Sequence, residues 1–415
     1  MTINSYIQIL IILFASVFQV TEAGAQSDGL QGKLIVGYQG WFGCPNDFEA
    51  NQNWQHWFIN QAKPEFLTVD MLPDLSAFSS QDLCDTGLSR ADGQGTVKLF
   101  SSQNPNVVLA HFRWMRDYGI DAVAVQRFVS VLSDPKQKRR ADNVLKNVML
   151  AAQATQRGFF VVYDISGANP NTVINDIRQD WRYLVNEIKV TENSAYLKDK
   201  TQPILELWGF GFTDRPGSPD AVFDLQQDLK NADNPLPAVT LVGGVPTHWR
   251  TLSGDSKSQI GWDKVYRNYD VLSPWLVGRF GDDYGADQLI KNIVLPDLIE
   301  TKRLGLAYLP VIFPGFSWHN LMINRHNPSK AILNQIPRRC GQFLQRQIDN
   351  LLKLKVSSIY VAMFDEVDEA TAVFPVETFS GALPAEAKMV YLNQDGCHLA
   401  SDWYLQILKN VEIKH

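Results

Sequence analysis

Short apolar runs alternate with amphipathic segments along most of the chain. The runs are rich in Val, Ile, Phe and Tyr and stop at polar residues, a pattern typical of buried strands. Apolar residues in the intervening segments recur at helical spacing, and Gly119 marks one helix end. Leaving out one short run near Thr68, strands are predicted at 33–38, 121–127, 159–164, 203–208, 238–243, 271–275, 306–313 and 360–364. Helices are predicted around 106–118, 142–157, 172–190, 221–232, 287–304, 342–354 and 400–409.

Eight strands separated by helices predict an α/β chain folded as a (β/α)8 TIM barrel, with a doubly wound open sheet as the alternative. The stretch between the first strand and the first helix is long, and we interpret it as an elaborated excursion with its own short strand at 66–70. A single domain over 26–415 is expected. No glycine-rich phosphate loop follows an early strand, so nucleotide binding is not predicted.

The last predicted strand stops at a cluster of carboxylates, Asp365, Glu366, Asp368 and Glu369. A strand buried on both faces can place such charge only at its ends, and ligands of α/β folds bind at the C-terminal ends. Glu366 and Glu369 are therefore predicted as the paired acids of a hydrolase. The alternative is an ordinary acidic first turn of a helix, which the helix dipole favours.

Other predicted strands and their following loops also end in aromatic, amide or charged residues. If the barrel is right, these residues face one rim, where flat rings and polar groups suit the apolar face and hydroxyl edge of a sugar. The predicted substrate-binding residues are Tyr38, Trp41, Asp70, Gln126, Arg127, Asp164, Trp208, Trp249, Trp275, Trp318, His319, Asp365 and Asp368.

Each of these residues also has a structural interpretation. Trp208 and Trp275 could pack in the core or rim, and His319 could cap a loop. Asp164 could cap a helix, and Arg127 could pair with it rather than with substrate. The functional interpretation rests on the combination, because most of the loop-borne tryptophans among the eleven in the chain fall on one predicted face.

Composition narrows the class of protein. The 415 residues are 45% hydrophobic, enough for a large core, and the formal charge of −6 offers no basic surface for nucleic acid. An apolar run at 7–20 followed by Ala23 and Ala25 predicts a signal peptide at 1–25, a mature chain from near Gln26 and a secreted or periplasmic location. A retained anchor is the alternative, since no Lys or Arg precedes the run. No later stretch is long enough to span a membrane.

Export permits disulfides among the four cysteines. We expect Cys44 to pair with Cys84 and Cys340 with Cys397, because each pair lies in one region of the chain; free thiols are the alternative. No cysteine pair has the spacing of a zinc site, and no cofactor or metal is required by any motif.

Three motifs resemble the glycoside hydrolase family 71/99-like proteins, some of which are labelled xylosidase or arabinosidase. They are Val-Gly-Tyr-Gln-Gly-Trp-Phe-Gly at 36–43, Leu-Trp-Gly-Phe-Gly-Phe at 207–212 and Met-Phe-Asp-Glu-Val-Asp-Glu at 363–369. The resemblance runs from about Lys33 to near the end of the last strand. In the family-99 endo-α-mannosidases that strand ends in Glu-Trp-His-Glu, so Val367 and Asp368 depart from the pattern, and mannose specificity is not implied.

The resemblance implies roles for the two glutamates. Glu366 would be the base that draws the proton from the sugar 2-hydroxyl, giving a transient 1,2-anhydro sugar, and Glu369 would be the general acid and then the base. Net retention follows, and an ordinary double displacement with Glu366 as nucleophile remains open. The expected protein is a secreted retaining glycoside hydrolase. The alternatives are a non-catalytic carbohydrate-binding barrel and a barrel enzyme whose carboxylates hold a divalent cation. The sequence predicts no oligomeric state.

Overall fold

The computed structural model describes residues 29–231 and 235–413. The predicted signal peptide at 1–25 lies outside these residues. None of the described helices is both long and apolar enough to cross a bilayer.

Nine parallel strands form one curled sheet. The first strand lies between the second and the last of the predicted strands, with Ile35 opposite Ala122 on one side and Tyr360 on the other. Runs of Val, Ile and Phe favour these strands because branched and aromatic side chains pack well on a pleated surface. In chain order the strands are β1 (Leu34–Tyr38), β2 (Leu83–Ser89), β3 (Thr96–Phe100), β4 (Ala122–Phe128), β5 (Gly158–Asp164), β6 (Lys198–Asp199), β7 (Gln202–Trp208), β8 (Thr240–Val245), β9 (Val271–Pro274), β10 (Ala307–Tyr308), β11 (Val311–Ile312) and β12 (Ile359–Val361).

The predicted seventh strand, 306–313, is divided in the structure. Its first half, β10, pairs with β9, and its second half, β11, pairs with β12. Pro310 lies between them and has no N–H to donate to a ladder, although its carbonyl accepts from the Tyr360 amide at 2.9 Å. The two halves thus join β9 to β12 and complete the predicted barrel.

Helices surround the sheet. Several begin at a capped proline: Asn104 and Asp134 accept hydrogen bonds from backbone N–H groups in the first turns of the helices that start at Pro105 and Pro135. This cap explains why the second helix begins well before the predicted residue 142. The helices are α1 (Pro105–Asp117), α2 (Pro135–Thr155), α3 (Val173–Asn186), α4 (Pro219–Lys230), α5 (Trp262–Arg267), α6 (Asp283–Leu289), α7 (Leu295–Leu304), α8 (His319–Asn324), α9 (Gln342–Lys353) and α10 (Trp403–Lys409).

The excursion after β1 differs from its prediction. The expected strand at 66–70 is wrong, because the chain there makes only a single bridge between Phe58 and Leu67 and then donates the Asp70 and Met71 amides to the Val367 carbonyl. The excursion instead contains the antiparallel pair β2 and β3. The sequence pattern did not predict this hairpin, because β2 contains polar residues and is not a continuous buried apolar run.

Both predicted disulfides are present. Cys44 pairs with Cys84, with their Cα atoms 6.3 Å apart, and joins the loop after β1 to β2. Cys340 pairs with Cys397 at a Cα separation of 6.1 Å and ties the start of α9 to the C-terminal segment. The chain around the barrel mouth is thereby cross-linked at two places.

Candidate active site

An open cleft of about 410 Å³ lies at the C-terminal ends of the parallel strands. Both predicted acids line it, together with a ring of aromatic and polar side chains contributed by different strands and loops. Eight of the predicted site residues meet there: Trp41, Gln126, Asp164, Trp208, Trp275, Trp318, Glu366 and Glu369. The expected convergence on one rim of the barrel therefore holds for these residues.

The two glutamates lie on an irregular turn and not on a helix. The Glu366 carbonyl accepts from the amides of Thr371 and Ala372 at 3.0 Å each, and the Glu369 carbonyl accepts from the Ser317 amide at 2.9 Å. Among the described residues no helix starts between 362 and 379. The acidic-first-turn alternative is wrong, because these backbone bonds fold the segment back beside β12.

Glu366 is held from both sides. Its Oε1 accepts a hydrogen bond from the side-chain Nε2 of Gln39 at 2.8 Å, and its Oε2 accepts from the hydroxyl of Thr371 at 3.0 Å. Gln39 directly follows β1, so neighbouring strands of the barrel supply the carboxylate and its donor. Both donors stabilise the ionised form of Glu366 and fix its orientation.

The electrostatics of the cleft favour a shared proton. Burial, followed by repulsion from Glu369 and Asp368, raises the pKa of Glu366 well above its usual range. Burial raises the pKa of Glu369 to about 7, although Arg325 and Arg215 act to lower it. Two carboxyls with raised pKa values titrate as a unit that binds one proton before the other. The pair can supply an acid and a base at once.

Aromatic side chains form the walls. Trp208 contacts Trp275 edge to face at a centroid distance of 5.2 Å, and Trp41 stacks on Phe128 at 5.1 Å. Gly244 makes room for Trp208, since a Cβ there would lie 2.3 Å from the indole. The cleft thus presents flat apolar faces at several strand ends.

Several polar atoms beside these walls lack a partner within the described chain. The indole N–H groups of Trp41, Trp208 and Trp318 are buried without a hydrogen bond, as is the side-chain oxygen of Gln39. Buried polar groups are normally paired, so these donors and acceptors around one cleft are available to hydrogen-bond a polar ligand.

A second cavity of about 510 Å³ adjoins the cleft. It shares part of its wall with the cleft and extends over α2. Gln137 of α2 and Gln55 and Gln103 of the excursion contribute neutral amides to its lining. The side chains that line both cavities are Gln39, Trp41, Gln126, Phe128, Ser166, Arg215 and Arg325. A ligand longer than one sugar ring could therefore lie across both.

Arg127 is placed differently from its prediction. It borders the second cavity, but its guanidinium is bound by Asp142 at 2.7 Å and by Asp180 at 2.5 Å. The alternative pairing with Asp164 is not made either; Asp164 Oδ1 accepts from the Ser166 amide at 2.7 Å. Burial raises the pKa of Asp164 to about 6. Arg127 is thus committed to a buried ion-pair network.

Asp365 and Asp368 do not line the cleft. The carboxylate of Asp365 accepts from the backbone N–H groups of Gln39 at 2.8 Å and Gly40 at 2.9 Å, so it fixes the end of β1. Asp368 is buried, and its Oδ1 has no hydrogen-bond partner among the described residues. Both residues surround the glutamate pair and contribute charge to it, without facing the open space.

Asp70 is occupied by the start of α8. Its carboxylate accepts from the Ser317 hydroxyl at 2.5 Å and from the backbone N–H groups of His319 at 2.6 Å and Asn320 at 2.8 Å. The imidazole Nδ1 of His319 lies 2.8 Å from the Ala331 carbonyl. His319 therefore caps a loop, as its structural interpretation proposed. Asp70 joins the excursion to the loop that carries Trp318.

Tyr38 and Trp249 are buried away from the cleft. The hydroxyl of Tyr38 lies 3.0 Å from Nδ1 of His111, within a cluster of aromatic rings. Trp249 donates its indole N–H to Asp297 at 2.9 Å. Their positions near strand ends suggested the rim, but their side chains pack into the protein interior.

Sequence reasoning missed several residues of the site. Gln39, Arg215, Arg279 and Arg325 line the cleft from loops after β1, β7, β9 and α8. Gln39 follows a predicted strand directly and could have been found by the same rule as Trp41. Glu206, inside β7, is buried with an unpaired Oε2, and burial raises its pKa to about 8. It lay within an apolar run, where no strand-end rule applied.

No metal centre is evident in the part of the chain that the structure describes. Within residues 29–231 and 235–413, no three His, Cys, Asp or Glu side chains converge as a metal-binding group. The acidic cluster of 365–369 diverges, since Asp365 faces the β1 backbone while the two glutamates face the cleft. The cation-binding alternative therefore gains no support from geometry.

The fold is similar to that of solved glycoside hydrolases. A GH99 endo-α-mannosidase from Bacteroides thetaiotaomicron has a TM-score of 0.62 and is 13% identical, over 92% of this chain and 96% of that chain. A second structure, in complex with bis-tris-propane, has a TM-score of 0.61 at the same identity and coverage. The family 1 β-glucosidase from Thermotoga maritima is more distant, with a TM-score of 0.46 and 9% identity over 93% of this chain and 100% of that chain.

These similarities confirm the predicted TIM-barrel fold and agree with the resemblance that the three motifs indicated. No protein-family model matches the chain. No curated protein matches it in sequence either.

Proposed function

We propose that the protein is an exported retaining glycoside hydrolase acting on a poly- or oligosaccharide. One observation carries the proposal: Glu366 and Glu369 line the same tryptophan-walled cleft, and the pKa of each is raised. Glycoside cleavage requires one protonated and one ionised carboxyl group, and this pair can hold a single proton. A fold shared with a GH99 endo-α-mannosidase supports the same reaction class.

We assign Glu366 as base or nucleophile and Glu369 as acid. The family resemblance implies these roles; Gln39 and Thr371 donate to Glu366 and act to stabilise its ionised form, against the burial and neighbouring carboxylates that raise its pKa. No side-chain hydrogen bond to the Glu369 carboxyl is made by the described residues, so its proton is free to reach a leaving oxygen. After cleavage, Glu369 would take a proton from the water that opens the intermediate, while Glu366 would return the 2-hydroxyl proton or, as nucleophile, leave the sugar, which restores the starting state.

Export is supported by independent features. The apolar run at 7–20 with its small-residue site predicts cleavage near residue 25, and two disulfides suit an oxidising compartment. Detection of the chain outside the cytoplasm, with a mature N-terminus near Gln26, would test the signal directly. A full-length chain that remains membrane-bound would favour the retained anchor.

The test is a screen of the mature protein against neutral and anionic polysaccharides, with chromatography of the products and NMR of the newly formed anomer. We expect released oligosaccharide with retained configuration. Glu369→Gln and Glu366→Gln should each lower turnover by roughly 100-fold or more, while Glu386→Gln, an exposed control, keeps the wild-type rate. Full activity in both site variants would refute the pair. Tight glycan binding without any product would support the carbohydrate-binding alternative.

A further inference from the structure

Three arginines line the catalytic cleft, and the proposed reaction uses none of them. Arg215 lies in the loop after β7, Arg279 in the loop after β9, and Arg325 directly after α8. They reach the cleft from separate parts of the chain. Arg215 and Arg325 also line the second cavity, so two of the arginines lie where the two cavities join, beside the carboxyl groups of Asp164, Asp214, Glu366 and Glu369 that line the cleft.

The guanidinium groups retain hydrogen-bonding capacity. Arg325 is exposed, and its side chain makes no hydrogen bond or ion pair with any residue that the structure describes. Arg215 pairs with the exposed neighbour Asp214 at 2.5 Å and lies over the Trp208 ring at 5.8 Å, and its Nε–H is buried without a partner among the described residues. An arginine has five N–H donors, so both residues keep donors that no described side chain uses.

Other contacts hold two of the arginines in place. Lys257 donates to the carbonyls of Arg215 and Gly217 at 2.6 and 3.2 Å, which fixes that loop. Arg279 Nη2 lies 2.8 Å from Asp255, which also lies 3.0 Å from the His248 ring. The Arg279 guanidinium and the backbone that carries Arg215 are therefore positioned before any ligand binds, which reduces the entropy that a ligand must offset.

We propose that the cleft recognises a glycan bearing an oxyanion, either a uronate carboxylate or a sulfate ester, next to the bond that is cleaved. Planar guanidinium donors match carboxylate and sulfate oxygens, whereas neutral sugar hydroxyls do not require them. The inference rests on the proposed glycosidase function for the position of the scissile bond. The proposed oxyanion specifies the class of glycan, which the tryptophan side chains of the cleft do not specify by themselves.

A competing explanation gives the arginines a purely electrostatic role toward the acids. Arg325 and Arg215 act to lower the pKa of Glu369 and could serve only that purpose. The two explanations differ in one observable. Charge compensation affects neutral and anionic substrates alike, while oxyanion recognition acts on the anionic substrate alone.

The test uses Glu369→Gln protein and matched glycans: glucuronoxylan against its carboxyl-reduced form, and a sulfated galactan against its desulfated form. Calorimetry at low and high salt measures binding of each. We expect one anionic member to bind at least 10-fold more tightly than its neutral counterpart, with an affinity that falls as salt rises. The member that binds identifies carboxylate or sulfate as the oxyanion.

Adding Arg325→Gln to the Glu369→Gln protein should weaken binding of the anionic glycan by roughly 10- to 100-fold. Binding of the neutral glycan should weaken by less than about two-fold. Lys330→Gln removes the same charge from a neighbouring exposed position outside both cavities and should change neither. Equal binding of the paired glycans, or equal losses for both in Arg325→Gln, would overturn the inference. Turnover of a neutral glycan by wild-type protein would leave the glycosidase function standing in that case. Anionic binding without turnover by the wild type would support the inference and reject the glycosidase.

Discussion

Gln39 donates its side-chain N–H to Oε1 of Glu366 across 2.8 Å, although the two residues are 327 positions apart in sequence. The contact joins the end of β1 to the turn after β12, strands that are neighbours in the barrel. Asp365 reinforces the same junction by accepting from the Gln39 amide at 2.8 Å. Gln39 is therefore a positioning residue for the proposed base.

Gln39→Leu should lower kcat by roughly 10- to 100-fold, less than removal of the base itself. Loss of a donor that stabilises ionised Glu366 raises its pKa further, so the acid limb of the pH–rate profile should move to higher pH. Steady-state kinetics across pH measure both effects. Gln227→Leu, an exposed control on α4, should leave the profile unchanged. An unshifted acid limb in Gln39→Leu would remove the positioning role.

The pH–rate profile of the wild-type protein should place its acid limb well above pH 4.5, the usual range of a glutamate. Burial raises the pKa of Glu369 to about 7 and that of Glu366 well above its usual range. Below the lower of the two pair pKa values both carboxyls are protonated and the base is lost, so kcat/KM falls as pH falls through that raised value. At higher pH the remaining proton leaves and the acid is lost. A flat profile from pH 4 to 7 would contradict the shared-proton description.

Arg127→Leu should reduce the free energy of unfolding by about 3 kcal/mol, because it leaves buried Asp142 and Asp180 with only Lys138, 3.4 and 3.5 Å away, as a cation. Although burial acts to raise it, the pKa of Asp180 is lowered by Arg127, so the stabilisation is present at neutral pH and is lost as pH falls through that lowered value. Denaturant unfolding at pH 7 measures the change. Arg139→Leu, an exposed ion-pair residue on α2, should cost less than about 1 kcal/mol. If Arg127→Leu instead weakened glycan binding without changing stability, Arg127 would be a substrate-binding residue, as the sequence predicted.

Asp70→Ala should cost about 1–2 kcal/mol of stability, since it removes the acceptor for the first amides of α8. Trp318 and Arg325 flank α8, so KM for the glycan should rise more than kcat falls. Asp74→Ala, on the same excursion, loses only a local contact to the Ser76 amide and serves as the control. Equal stability of the two variants would show that Asp70 does not anchor this loop.

The barrel and the position of the two glutamates in one cleft were predictable because both follow from repeated local patterns. Buried β-branched runs mark the strands, and a ligand site at their C-terminal ends requires only the strand order. Tyr38, Trp249 and Asp365 satisfied the same rule, yet their side chains face the interior or the backbone. The end of a strand fixes the position of a residue's backbone. It leaves open which neighbour the side chain contacts.

The arginines and the hairpin were harder to predict for related reasons. Arg325 follows a short helix inside a long loop, and its approach to the cleft depends on Asp70 from the excursion. Such long-range contacts leave no periodic signature in the sequence. Glu206 and the strand break at Pro310 lie inside apolar runs, where a single exceptional residue is outweighed by the pattern around it.

Because β10 and β11 each contribute only two residues to the ladder, the barrel has a narrow seam at Leu309 and Pro310. Short pairings on both sides of a residue without an amide hydrogen are opened by small fluctuations, so we expect amide exchange with deuterium to begin here before it reaches β4 and β5. The seam leads directly into the segment that carries Trp318. Exchange that spreads from the seam into that segment would therefore reach one wall of the cleft, because Trp318 lines it.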